Sequence, residues 1–106
     1  MTFSFHPEAD AEFRKAIDYY ESCQRGLGED FYFEVHSTIQ RIVDFPEAWP
    51  LLDTGVRRCL SHRFPYGVLY STHKEEGVLI LAVMHLRRDP DYWKHRTILE
   101  VQSDGT

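Results

Sequence analysis

The stretch "VLILAVMHLRRDP", residues 78–90, decides the fold. Its first seven residues are apolar without a break, far too few to span a bilayer and the right length for a strand covered on both faces. Arg87 and Arg88 follow at once, and Lys94 and Arg96 come soon after, with His85, His95, Tyr92 and Trp93 interleaved. Cations placed this close repel one another. In a chain of net charge −5, such a cluster predicts an external anion or an acidic partner facing it.

Working back from that strand, "KEEG" at 74–77 is a polar turn ending in glycine, and "GVLYSTH" at 67–73 is a second strand antiparallel to the first. "VRRCLSHRF" at 56–64 alternates. As a strand it places Arg57, Cys59, Ser61 and Arg63 on one face and Arg58, Leu60, His62 and Phe64 on the other. Before it, "FPEAWPLLDTG" at 45–55 holds Pro46, Pro50 and Gly55 and reads as a loop, with Trp49 and Leu52 folded back onto whatever precedes it.

What precedes it is helical. Ala9, Phe13, Ala16, Tyr20 and Cys23 recur at spacings of four and three, one apolar stripe on a helix that Pro7 can open without losing a hydrogen bond. Glu8, Asp10 and Glu12 lie in its first turns, where carboxylates favour the positive end of the helix dipole. "RGLG" at 25–28 ends it, the glycines permitting the left-handed backbone of a helix terminus; the sequence lacks the spacing of a nucleotide loop. A second stripe, Phe31, Val35, Ile39 and Ile42, predicts a helix from about Glu29 to Asp44, antiparallel to the first across so short a connection. "TFSFH" at 2–6 alternates and is read as an opening strand with Phe3 and Phe5 inward.

The order of strand, two helices and a three-strand meander defines an α+β domain, a helical hairpin packed on a twisted antiparallel sheet. With 106 residues there is material for a single core, so residues 1–106 are expected to form one domain. Thr97 to Gln102 could add an edge strand, with the last four residues frayed. No signal-peptide pattern opens the sequence, so a cytoplasmic protein is expected. Cys23 and Cys59 lie in no paired motif and read as reduced thiols, while His62, His73 and His95 lack metal-ligand spacing. No cofactor or metal is expected. The charge is divided: residues 1–56 hold four Lys/Arg against eleven Asp/Glu, and residues 57–96 hold eight against four.

This element order, together with "VRRCLSHRFPYGVLY" and "VLILAVMHLRRDPDYWKHR", resembles the RelE/ParE superfamily of toxins from bacterial type II toxin–antitoxin (plasmid stabilisation) modules. The resemblance covers about residues 3–96. It implies a small growth-inhibiting toxin held inactive by a cognate antitoxin, which would lay a helix and an extended segment over apolar residues of the hairpin and sheet. The ParE-like branch implies poisoning of DNA gyrase. The RelE-like branch implies metal-independent cleavage of messenger RNA on the ribosome.

Cleavage by the RNA 2′-hydroxyl needs a base, cations for the phosphate and an acid for the leaving oxygen. The resemblance places Arg58 and Arg87 at basic positions of that pattern and Tyr92 at its tyrosine. Leu60 and Gly67 stand where it has further basic residues. His62 or His85, with an unperturbed pKa near 6.5, could replace the missing acid or base. Without catalysis, Arg57, Arg58, Arg63, Arg87 and Arg88 would form a patch for the target or for phosphate. Three readings follow: a gyrase poison, a ribonuclease, and a decayed toxin that binds its antitoxin alone, with Leu60 and Gly67 tilting the choice toward the first.

Overall fold

The computed structural model describes residues 2–97. The elements are β1 (Phe3–Phe5), α1 (Pro7–Cys23), α2 (Leu27–Asp44), β2 (Leu51–Asp53), β3 (Val56–Leu60), β4 (Tyr66–His73) and β5 (Gly77–His85). They form one five-stranded sheet in the order β1-β5-β4-β3-β2, with the helical hairpin on one face. The α+β arrangement is the one expected from the sequence. The sheet also gains β2 from within the expected 45–55 loop, and β1 pairs with β5 in parallel, Phe3 opposite Val78.

Pro7 sits at the start of α1 and the His6 side chain accepts the Glu8 N–H. Phe31, Val35, Ile39 and Ile42 are all buried against the sheet, as their spacing predicts. Each such side chain contributes on the order of 2 kcal/mol through water exclusion. Cys23 departs from its stripe: it lies exposed in the last turn of α1, beyond the reach of the sheet. α2 begins two residues earlier than expected because of its glycines. Gly26 takes the left-handed turn at φ +88°, and Gly28 lies inside the helix, where a Cβ would sit 2.7 Å from the Ile17 carbonyl. The missing side chain lets the two helices touch.

The run 78–84 lies in β5, which stands between β1 and β4, with β4 and not β5 the middle strand of the sheet, and it is covered on both faces. Val78, Ile80 and Val83 face the hairpin, whereas Leu81, Ala82 and Met84 face the opposite side with Val56, Leu69 and Trp93. Alternation fails at one point. Leu69 pairs with Ala82 but Tyr70 pairs with Ile80, so Leu81 is the extra residue of a β-bulge. Trp93, from the segment after β5, closes this second core, its indole donating to the Pro90 carbonyl at 2.7 Å.

Two local expectations are corrected. β3 ends at Leu60, and residues 61–64 turn, so Phe64 swings into the hairpin-side core instead of sharing a face with Arg58. Leu52 lies 40% exposed on β2, although Trp49 does pack on the core as expected. Thr97 lies in a helical turn that includes residues 94–97, and the remainder of the suggested edge strand lies outside the described residues. Among the described residues no helix is long and apolar enough to cross a membrane.

Candidate functional site

β1 covers only the first part of β5. His6 N–H reaches the Ile80 carbonyl, and beyond that point no strand among the described residues neighbours the β5 edge. Side chains complete it. The Glu12 carboxylate accepts the Val83 N–H at 2.9 Å, and Arg96 Nη1 donates to the Leu81 carbonyl at 2.7 Å. Arg96 also donates to Glu12 Oε1 at 2.8 Å, and the Tyr92 hydroxyl donates to Glu12 Oε2 at 2.8 Å. Arg96 is 4% exposed. An acid on α1 and an arginine after β5 thus satisfy backbone groups of this edge that no backbone among the described residues meets, as buried polar groups require.

Two further groups surround this centre. The Arg88 guanidinium carbon lies 3.8 Å from the Tyr92 ring centroid, and its Nη1 lies 3.6 Å from Glu12. Burial first, and then the hydrogen bond to Glu12, push the Tyr92 phenol well above its ordinary pKa. His95 pairs with Glu8 at 2.8 Å, and this hydrogen bond is the main reason the Glu8 carboxyl is held below its usual range. A cleft of about 320 Å³ opens beside the cluster, lined by Lys15, Tyr19, Tyr66, His85 and Arg88 among others. In it, burial pushes the Tyr66 phenol up to about 12.

His85 closes β5 opposite Tyr66, its Nδ1 accepting the Arg87 N–H at 3.0 Å. Arg87 points no guanidinium hydrogen at a carboxylate among the described residues. Arg58 is likewise without a carboxylate. Its stem crosses Gly67, whose added Cβ would sit 2.9 Å from Arg58 Cδ. The glycine that departs from the ribonuclease pattern is therefore the trough in which Arg58 lies.

Arg58 and His62 share a second cleft of about 340 Å³ with Arg41, Trp49, Leu52 and Leu60. Arg41 is half-buried over Trp49 and bonds Thr38 Oγ1 at 3.1 Å and the Leu60 carbonyl at 3.3 Å. The other arginines are placed elsewhere. Arg57 turns to the hairpin face and donates to the Trp49 carbonyl at 2.7 Å, and Arg63 pairs with Asp30 at 3.1 Å. The cationic residues thus fall into two groups, Arg58 with Arg41 and His62 near β3, and Arg87 with Arg88 past β5. Arg57 and Arg63 are each held by their own chain.

Sequence reasoning missed Glu12, Arg41 and Arg96. Glu12 looked like an ordinary first-turn acid, and Arg96 like one more member of the basic cluster. The available signal was the bulky "DYWKHR" segment, since a Trp and a Tyr so close to Arg96 imply burial of that segment. Among the described residues no group of His, Cys, Asp and Glu is placed to hold a metal ion.

A strand, a helical hairpin and a four-strand meander, closed by a basic aromatic segment, define the small α+β scaffold of the RelE/ParE toxins. Residues 3–90 match the family model "ParE toxin of type II toxin-antitoxin system, parDE". The chain belongs to this family and is thereby a toxin of the type II toxin–antitoxin class, whose partner is an antitoxin. No match is found among curated proteins.

Proposed function

We propose that this toxin acts by binding and poisoning DNA gyrase, without cleaving RNA. The observation that carries the reading is the state of Tyr92. Its hydroxyl is given to Glu12, its ring lies against Arg88, and burial holds its proton tightly. A general acid or base must be able to exchange its proton with the reacting group near the working pH. Tyr92 is instead a structural strut.

The other candidate catalytic groups support the same conclusion. Arg58 and His62 lie in one cleft, while His85, Arg87 and Tyr92 belong to the segment at and beyond the end of β5. Gly67 carries the stem of Arg58 and offers no cation of its own. In this reading Arg87 and Arg88 make the cationic contact with the target, and the antitoxin silences the toxin by covering them or by holding the chain away from it.

The ribonuclease reading is kept for one reason, that Arg58, Arg41 and His62 share a cleft able to place cations beside an imidazole. Expression without antitoxin separates the readings. Gyrase-dependent DNA breaks with intact messages are expected. Early codon-linked cuts in messages on the ribosome would overturn the proposal, and unimpaired growth at verified expression would leave a toxin that retains only its antitoxin contact.

A further inference from the structure

Along α1 runs a groove to which the family assignment gives no occupant. The cleft of about 320 Å³ beside Tyr66 and a larger one of about 610 Å³ share Glu12, Lys15 and Arg88, so the two are continuous between the helix and the segment after β5. Their chemistry differs. The larger is lined by Arg14, Lys15, Arg88 and Arg96, and by the acids Glu8, Glu12 and Asp18. Two of these acids are already engaged: Glu8 pairs with His95, and Glu12 holds Arg96, the Tyr92 hydroxyl and the Val83 N–H. Arg14 is tied to Asp10 at 3.2 Å. Lys15, by contrast, has no acidic partner among the described residues, and the Arg88 side chain stays 55% exposed.

Arg96 adds an independent sign. Although it is 4% exposed, its Nε–H meets no acceptor, and Glu8 Oε1 stands off at 3.8 Å. A buried donor left without a partner in a cleft wall favours an anion in that cleft. The smaller half of the groove is aromatic. Tyr19, Tyr66 and His85 line it with Ala16 and Val83; the Tyr66 and His85 rings meet edge to face with centroids 5.2 Å apart, and Tyr19 is 61% exposed. Because His85 Nδ1 accepts the Arg87 N–H, the neutral ring carries its proton on Nε2 and is a donor there. Aromatic surface beside a donor suits a planar heterocycle.

We infer that this groove binds a nucleoside polyphosphate, its base against Tyr19 and Tyr66 within reach of His85, and its phosphates on Lys15 and Arg88 with Arg96 behind them. A simple anion would leave the aromatic half empty, and an uncharged heterocycle would leave the cations unanswered. An acidic peptide fits less well, because the α1 backbone that forms one wall is bonded within its own helix and has no strand edge to offer. Asp18, without a partner among the described residues, opposes the ligand's charge. The inference does not rest on the gyrase reading: nucleotide binding is read on the purified chain, whereas gyrase poisoning is read as DNA breaks in cells, so either can fail alone.

The test is isothermal titration calorimetry on the purified full chain with ATP, adenosine, inorganic triphosphate and a single-stranded RNA nonamer. ATP should bind at least about tenfold more tightly than adenosine or triphosphate, since only ATP fills both halves. Lys15→Glu should weaken ATP at least about tenfold and leave adenosine unchanged. Tyr19→Ala should weaken ATP and adenosine and spare triphosphate, while Asp18→Asn should tighten ATP. Lys74→Glu, in the turn between β4 and β5, makes the same change in net charge away from the groove and should alter nothing. All four substituted side chains are exposed, and circular dichroism confirms that each variant is folded. No binding of ATP, equal affinity for triphosphate and ATP, tighter binding of the RNA than of ATP, or an equal loss in Lys74→Glu would each overturn the inference.

Discussion

Arg96→Met removes the cation that closes the β5 edge while keeping an apolar stem of similar length. Arg96 is 4% exposed and gives hydrogen bonds to Glu12 and to the Leu81 carbonyl. Breaking a buried ion pair by deleting one partner costs about 3–5 kcal/mol, and an orphaned carbonyl adds roughly 1 kcal/mol or more. Glu12 retains the Val83 N–H, the Tyr92 hydroxyl and Arg88 at 3.6 Å, which places the loss at the lower end, about 3 kcal/mol. For a domain of this size that is a fall in midpoint of roughly 12 °C. Urea denaturation followed by circular dichroism measures it, alongside Glu12→Leu and the double variant. Because the double variant leaves neither buried charge without its opposite, it should be no worse than the poorer single one. A loss below about 1 kcal/mol for Arg96→Met, or additive single losses, would refute the reasoning that this pair completes the sheet.

Arg87 and Arg88, neighbours in sequence, should separate in their effects. Arg87→Ala is expected to relieve growth inhibition and leave the unfolding free energy within about 0.5 kcal/mol, whereas Arg88→Ala loses its stacking on Tyr92 and costs about 1 kcal/mol; paired toxicity and denaturation curves check both. Gly67→Arg, which would supply the cation of the ribonuclease pattern, should destabilise by roughly 1–3 kcal/mol by colliding with the Arg58 stem, and Arg58→Ala in the same chain should recover part of the loss. Alkaline titration followed by tyrosinate absorbance reports on the buried phenols. Tyr66 and Tyr70 are raised by burial to about 12, and Tyr92 is raised as well. Their unfolded counterparts ionise near pH 10, so the folded state binds more protons above that pH. Stability should be intact below about pH 10 and fall as pH rises through the folded values, with three phenols ionising only on unfolding; early ionisation of all six tyrosines would contradict this.

The sequence by itself determined the parts whose signal is local. The stripe Phe31, Val35, Ile39 and Ile42 could bury itself only as one helix face, and the seven apolar residues at 78–84 could be accommodated only between two layers. These patterns follow from the 3.6-residue and two-residue periods of the backbone, which act within a few positions of the chain. The family resemblance was readable for the same reason, being carried by contiguous strands. β2 was missed because Pro46, Pro50 and Gly55 signal a loop, and three exposed residues gain strand geometry only by pairing with β3.

Only the tertiary structure decided which charges are structural and which are free. Glu12 and Arg96 are 84 positions apart, and nothing local marks either as buried. Their meeting depends on β1 ending at Phe5 and on the bulge at Leu81, which together leave backbone groups that some side chain must satisfy. The same logic divided the arginines. Arg57 and Arg63 found partners at Trp49 and Asp30, brought near by the hairpin. Arg58 and Arg87 have no carboxylate partner among the described residues. Charge placement is a property of neighbours in space, and a sequence states neighbours along the chain alone.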